Sequence, residues 1–277
     1  MGRLESAMDS LRLLCTTDAS RAKSLAEKLQ LTNKERQLLT QTTAEHAKGE
    51  ALSKVGSKKL LFIHSDTYEE GVIGLVAGKL VEEFYLPAIV LSRGEKISKA
   101  SARSIAGFNI IEFIRSASEL LVNAGGHPMA AGFTVETSKL TLLQEALETL
   151  AEKQIEEGLL TRVIRIDMDL PLEKVSKDLY QQVQALGPFG MGNPEPLFAS
   201  EVKVRDVRAI GMEGKHLKLS VAPLKVPYAF PAIAFGMGEL ARRIKPGDSI
   251  SIAYAIDENT WNGKTELQLK IRDIKLG

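Results

Sequence analysis

Residues 60–91 read LLFIHSDTYEEGVIGLVAGKLVEEFYLPAIVL. Leu60-Leu61-Phe62-Ile63 is a short apolar run of the length a buried strand needs. After a turn at Gly71, Ile73, Val76, Ala77, Leu80 and Phe84 fall on one face of a helix of about 15 residues. Pro87 cannot continue that helix, and Ala88-Ile89-Val90-Leu91 reads as a second buried strand. Strand, helix and strand in this order favour a parallel sheet.

Working outward from that unit, residues 9–52 read as helical, with Asp18 and Thr32 placed to cap helices. Asn33 to Leu52 has few apolar positions and suits a bridging helix. Downstream, Ser98–Ser104 has the length of a short strand. Asn109 caps a helix carrying Ile110, Phe113, Ile114, Ala117 and Leu121. Met129–Val135 reads as another strand. Leu143, Ala146, Leu147, Leu150 and Ala151 then keep helical spacing as far as Gly158. Residues 162–170 read as a strand and 172–186 as a helix. Gly187-Pro188-Phe189-Gly190-Met191-Gly192-Asn193-Pro194-Glu195-Pro196 is turn chemistry throughout. Beyond it the period becomes two, with strands expected near 201–209, 216–222, 228–236, 248–256 and 266–274. A short helix at 237–244 between the third and fourth of these is the order of an OB barrel. The fold class is α/β: helices over 1–56, an α/β domain over 57–158, a linking strand, helix and turn over 159–200, and an OB-like β-barrel over 201–277.

The 277 residues suffice to bury a core, and 44% hydrophobic with 26% charged residues is ordinary for a globular chain. No apolar stretch has the length of a membrane span, and Met1-Gly2-Arg3-Leu4-Glu5 lacks the shape of a signal peptide. The single cysteine, Cys15, excludes an intrachain disulfide and fits a reducing cytoplasm. It could be a catalytic thiol, but among Leu11, Leu13 and Leu14 it reads as helix core. The net charge is +1, unevenly spread: residues 203–277 hold 13 Lys and Arg against 8 Asp and Glu. A basic module of this kind suits a polyanionic partner.

Two stretches can carry chemistry. In Ala124-Gly125-Gly126-His127-Pro128-Met129-Ala130-Ala131-Gly132-Phe133, Gly125 and Gly126 let the backbone approach a ligand and present N–H groups to an anion. His127 can donate to a phosphate or move a proton. The same residues also make a plain glycine turn with a satisfied histidine, and residue types alone leave both readings open. In Ser98-Lys99-Ala100-Ser101-Ala102-Arg103-Ser104, a strand places Ser101 and Arg103 on one face with Lys99 beside them. A guanidinium among hydroxyls is a phosphate cradle, or else the segment is a solvated basic edge. Glu69 and Glu70 lie where a helix starts and serve as caps and dipole partners. The four histidines, His46, His64, His127 and His216, are scattered, and neither HExxH, CxxC nor a P-loop is present. Asp167 and Asp169 form a D-x-D pair without a second acidic cluster, so no self-contained metal site is expected.

Together these segments resemble the DHH phosphoesterase superfamily, and the RecJ family in particular. Gly125-Gly126-His127 with Ala130-Ala131-Gly132 is similar to the signature of the DHHA1 domain. Glu70-Gly71-Val72-Ile73-Gly74-Leu75-Val76-Ala77 resembles its opening helix, and Ser101-Ala102-Arg103-Ser104 its S-x-R-S segment. Pro188 through Pro196 resembles the junction into the family's OB domain. The resemblance covers nearly all of the chain and implies a 5′-to-3′ exonuclease acting on single-stranded DNA in repair and recombination. It also implies that the manganese or magnesium ions of such an enzyme are held by an N-terminal DHH domain, of which residues 1–56 would be the remnant and connector. This chain would bind no metal and supply the grip on DNA, its partners being single-stranded DNA and, beyond it, the DHH domain or other repair proteins. On this reading Ser101, Arg103, Ser104, Gly125, Gly126 and His127 hold phosphate, His127 reaches the scissile group from the side opposite the metals, and Arg3 faces the same cleft. Lys203, Arg205, Lys215, Lys218, Trp261 and Lys264 would line the OB surface, Trp261 at a hairpin tip as a stacking platform or as packing. Two alternatives carry the same residues: a stand-alone accessory protein that binds single strands, and a short-oligonucleotide phosphodiesterase of the superfamily.

Overall fold

A computed structural model describes residues 7–224, 228–261 and 263–276, the side chain of Trp261 excepted. The chain divides into two compact units between Arg162 and Val163.

The first unit opens with α1 (Met8–Cys15) and α2 (Ala19–Leu52). Asp18 caps α2, accepting from the N–H groups of Ser20 and Arg21. Thr32, expected to cap a second helix, is instead buried inside α2, because nothing interrupts the 34-residue helix there. Cys15 is exposed, contrary to the helix-core reading. The eight residues of α1 bury none of their side chains, and Leu14 is 84% exposed.

The strands β1 (Leu61–Ser65), β2 (Ala88–Ser92), β3 (Ile97–Arg103), β4 (Leu121–His127) and β5 (Ala130–Glu136) form one sheet in the order β1-β2-β3-β5-β4. The helix α3 (Glu70–Phe84) joins β1 to β2, which pair in parallel, as the opening stretch implied. The other pairings are antiparallel. Only residues 93–96 connect β2 to β3, far too few for the crossover that a parallel neighbour requires. The helix expected through Leu121 is shorter. Asn109 caps α4 (Ile110–Arg115), and a 3-10 turn leads straight into β4, a strand not anticipated. Gly125-Gly126 disfavours helix, and Pro128-Met129 folds β4 back on β5 as a hairpin with His127 opposite Ala130.

One face of the sheet carries Phe62, Ile89, Leu91, Ala100, Ala102, Phe133 and Val135 under α4 and α5 (Leu140–Gln154). The other is covered only in part: Leu61, Ile63, Ala88 and Val90 pack under α3 and the end of α2.

The second unit begins before the barrel. The strand expected over 162–170 shrinks to β6 (Met168–Asp169) beside Phe198–Ala199. The helix expected over 172–186 is a 3-10 turn followed by α6 (Lys177–Gln184), because Ser176 stops the first and caps the second. Leu170, Leu172, Val175 and Val183 belong to the barrel's core, so this stretch is part of the second unit and not a separate link. Strands β7 (Phe198–Ile210), β8 (His216–Ala222), β9 (Phe230–Ala234), β10 (Ser249–Trp261) and β11 (Lys264–Leu276) follow close to the expected positions, with a 3-10 helix, Gly238–Arg242, between β9 and β10. Pairings run β7-β8-β9-β11-β10 and from β10 back to β7, β9 and β11 being parallel: an OB-like arrangement.

Candidate functional site

Residues directly opposite each other on neighbouring strands point to the same face of a sheet. Arg103 lies opposite Ala130, and Ala130 opposite His127. Ser101 lies opposite Gly132, and Gly132 opposite Gly125. Lys99, Thr134 and Asn123 make the next row. These three rows start beside α3, on β3, and run out across β5 to β4. The burial pattern of β3 and β5 alternates accordingly: Ala100, Ala102, Ala131 and Phe133 are buried, whereas Ser101, Arg103, Ala130 and Gly132 are partly exposed. With strands about 4.8 Å apart, the backbones at Arg103 and His127 stand about 10 Å apart, with only Ala130 between them. Small residues on β5 and β4 therefore form a low floor, bordered by a cation on one side and an exposed imidazole on the other.

The Arg103 guanidinium is oriented by its own strand. Its Nη1 donates to the Ala102 carbonyl at 2.8 Å and lies 3.4 Å from Ser101 Oγ. Lys99 reaches Glu70 in the first turn of α3 at 2.8 Å. Glu69 occupies the cap position of α3, but its side chain makes no capping bond, contrary to the capping expected of it; Glu70 lies in the first turn, where a dipole partner was expected.

The two glycines differ. At Gly126, φ is +149° and a Cβ would lie 2.4 Å from the Ala130 oxygen, so the hairpin needs glycine there. At Gly125 a Cβ would meet nothing within 4 Å: its missing side chain keeps the floor open. Ser104 corrects an expectation. It is buried, its hydroxyl donates to the Phe108 carbonyl at 2.6 Å, and its N–H donates to the Met129 carbonyl. It faces the core and ties β3 to the following loop; it presents nothing to a phosphate. Arg3 lies outside the described residues.

In the second unit, cross-strand pairing places Arg208, Lys218, Ile233 and Lys270 in one outward row across β7, β8, β9 and β11. The neighbours Leu217, Leu219, Ala232, Ala234, Leu269 and Ile271 point into the core. His216 sits beside Phe235, ring centroids 5.2 Å apart, and Phe235 is 54% exposed. Of the expected residues, Lys218 is in this row and the exposed Lys215 in the connection just before β8. Lys203 and the bulge residue Arg205 lie near the middle of β7, and Lys264 starts β11, six residues from Lys270, or about 20 Å along the strand. The Trp261 side chain lies outside the described residues. Sequence reading missed Arg208, Lys270 and Phe235. Their signal was the alternation itself, since Ala232 and Ala234 inward imply Ile233 and Phe235 outward.

Among the described residues no three His, Cys, Asp or Glu side chains converge on a point where a metal could sit. Asp167 instead accepts from the Leu197 N–H at 2.9 Å. His46 bonds the Tyr68 hydroxyl at 2.7 Å, which burial pushes up to about 12. His64 is pushed below its ordinary value by burial and by the positive charges of Arg93 and Lys54.

Residues 54–153 match the family model described as the DHHA1 domain, and residues 166–273 the one described as the RecJ OB domain. A Bacillus subtilis protein named single-stranded-DNA-specific exonuclease RecJ is 33% identical over 276 residues, covering 99% of this chain and 35% of that protein. A Thermus thermophilus protein of the same name is 29% identical, covering 99% of this chain and 38% of its own length. The crystal structure of Thermus thermophilus RecJ in complex with Mn2+ superposes with a TM-score of 0.82 at 28% identity, over 100% of this chain and 39% of that one. The chain thus spans well under half the length of these relatives.

Proposed function

The chain belongs to the RecJ family through its DHHA1 and OB domains, and on that premise we propose that it is the part of a 5′-to-3′ exonuclease that grips single-stranded DNA. Hydrolysis, with its manganese or magnesium, belongs to a metal-binding domain that is not among these 277 residues. The observation that carries the reading is the placement of Arg103, Ser101, Gly125 and His127 on one face of the sheet, running out from the edge of α3. The guanidinium and Ser101 bind a phosphate oxygen with charge-assisted hydrogen bonds. Gly125 admits the sugar-phosphate chain against the floor, and Gly126 gives the hairpin its shape. His127 donates from the far side or lies next to the scissile phosphate. In the OB domain, Arg208, Lys218 and Lys270 neutralise phosphates while Phe235 stacks on a base. Lys203, Arg205, Lys215, Trp261 and Lys264 extend that surface. The RecJ family supports a role in DNA repair and recombination, and on this reading the protein works in the cytoplasm.

Binding of labelled single-stranded and duplex oligonucleotides tests this across a salt series. Single strands bind more tightly, and Lys218→Ala lowers the slope of log K against log salt by roughly 0.7, one single-strand phosphate contact. Arg103→Ala removes the preference for a 5′-phosphate over a 5′-hydroxyl end. Equal affinity for single strand and duplex refutes the assignment, and an unchanged end preference removes Arg103 from the site.

A further inference from the structure

We infer that Gly74, on α3, is a positioning residue that sets the Arg103 guanidinium, an inference that rests on Arg103 being the phosphate-binding group proposed above. Glycine inside a helix weakens it relative to alanine, so an interior glycine calls for a local reason. A Cβ built on Gly74 would lie 2.9 Å from Ser101 Oγ and 3.1 Å from Arg103 Nη2. Both atoms belong to the group that would hold phosphate. Gly78, one turn further along the same helix, has nothing within 4 Å of its Cβ position. Of these two glycines in one helix, then, only Gly74 has a contact that a side chain would disturb, and that contact is the site.

The geometry explains how the guanidinium is held. Arg103 Nη1 is fixed by the Ala102 carbonyl and adjoins Ser101 Oγ. Nη2 lies over the bare backbone of Gly74, close enough that a methyl group there would push it. The planar fork is thus held between its own strand and the helix surface before any ligand arrives, and less ordering remains to be done on binding. An alanine at 74 leaves the arginine in place chemically but tilts its fork and displaces the Ser101 hydroxyl.

The test uses the 277-residue chain and single-stranded oligonucleotides carrying 5′-phosphate or 5′-hydroxyl ends. The proteins compared are the parent, Gly74→Ala, Gly78→Ala, Arg103→Ala and the double variant Gly74→Ala/Arg103→Ala. Gly74→Ala lowers affinity for the phosphorylated end about tenfold, the size of one weakened charged hydrogen bond, and erases most of the end preference. Gly78→Ala binds like the parent. The double variant loses less than the product of the two single losses, because Gly74 acts through the Arg103 fork and the Ser101 hydroxyl beside it. Parent-like binding by Gly74→Ala, or a double variant whose loss is the product of the two single losses, overturns the proposal while leaving the DNA-grip reading in place. An Arg103→Ala variant that keeps its end preference removes the site reading and this proposal with it. Should Gly74→Ala not fold, Ser101→Ala removes the nearer of the two contacts. Gly74→Ala is then compared with Gly74 in that background, where a fall in end preference supports the proposal and an unchanged preference overturns it.

Discussion

Gly125 and Gly126 are neighbours on one strand, and alanine at each has opposite consequences. At Gly126, φ of +149° is a region that side chains rarely adopt, costing about 1–3 kcal/mol. The new Cβ would also lie 2.4 Å from the Ala130 oxygen and 2.5 Å from Ala131 Cα, both backbone atoms of the paired strand that no rotamer change can move. Displacing the hairpin adds about 1–3 kcal/mol of packing strain, and the stiffer unfolded chain returns about 0.5–1 kcal/mol. The net loss is about 1–5.5 kcal/mol, at its upper end a large part of the stability of a domain. At Gly125 nothing lies within 4 Å, and alanine in a strand gains about 0.5–1 kcal/mol over glycine. Gly125→Ala therefore leaves stability unchanged or slightly raised, while its methyl group stands on the floor and weakens single-strand binding. Because the two units need not unfold together, and the one tryptophan belongs to the second, amide hydrogen exchange over Ala130–Glu136 is the assay to use, with urea unfolding followed by circular dichroism. Unchanged protection in Gly126→Ala, or equal losses at the two positions, refutes this division of labour.

Ser104→Ala leaves the buried Phe108 carbonyl without its 2.6 Å donor, a cost of about 1–3 kcal/mol, yet keeps the preference for 5′-phosphate ends; loss of that preference in the binding assay makes Ser104 a ligand contact after all. The His64 imidazole, held below 6.5 by burial and by Arg93 and Lys54, takes up its proton later than it does in the unfolded chain. Its contribution to stability is present above pH 6.5 and is lost as the pH falls from there toward the depressed folded value. The unfolding temperature of the parent accordingly drops more between pH 7.5 and 5.5 than that of His64→Gln, and parallel drops in the two proteins contradict the assignment.

Much of the architecture was legible because local chemistry and burial agreed. The run from Leu60 to Leu91 specified a strand, a helix and a strand, and the alternation after residue 200 placed five strands and the turn between the third and fourth. Asp18 and Asn109 announced their helices by capping them. Thr32 and Cys15 misled for a shared reason: helix caps and apolar runs look alike whether or not another element covers them, and coverage is a tertiary fact. The strand β4 was invisible because two glycines and a histidine have no strand propensity of their own; they are held in the sheet by the partner β5.

The candidate site divides in the same way. Residue types alone marked Ser101, Arg103, Gly125, Gly126 and His127, because hydroxyls, a guanidinium and adjacent glycines are what a phosphate needs. Sequence order could not say that Arg103 and His127, 24 positions apart in the numbering, share a face, nor that Ser104, adjacent to Arg103, faces away. Register decides the first, since the pairing of β3 with β5, and of β5 with β4, carries the row across; the loop after β3 decides the second, by burying the Ser104 hydroxyl against the Phe108 carbonyl. The part of Gly74 was likewise hidden: it arises from the approach of a helix to a strand, a distance that only the packed sheet defines.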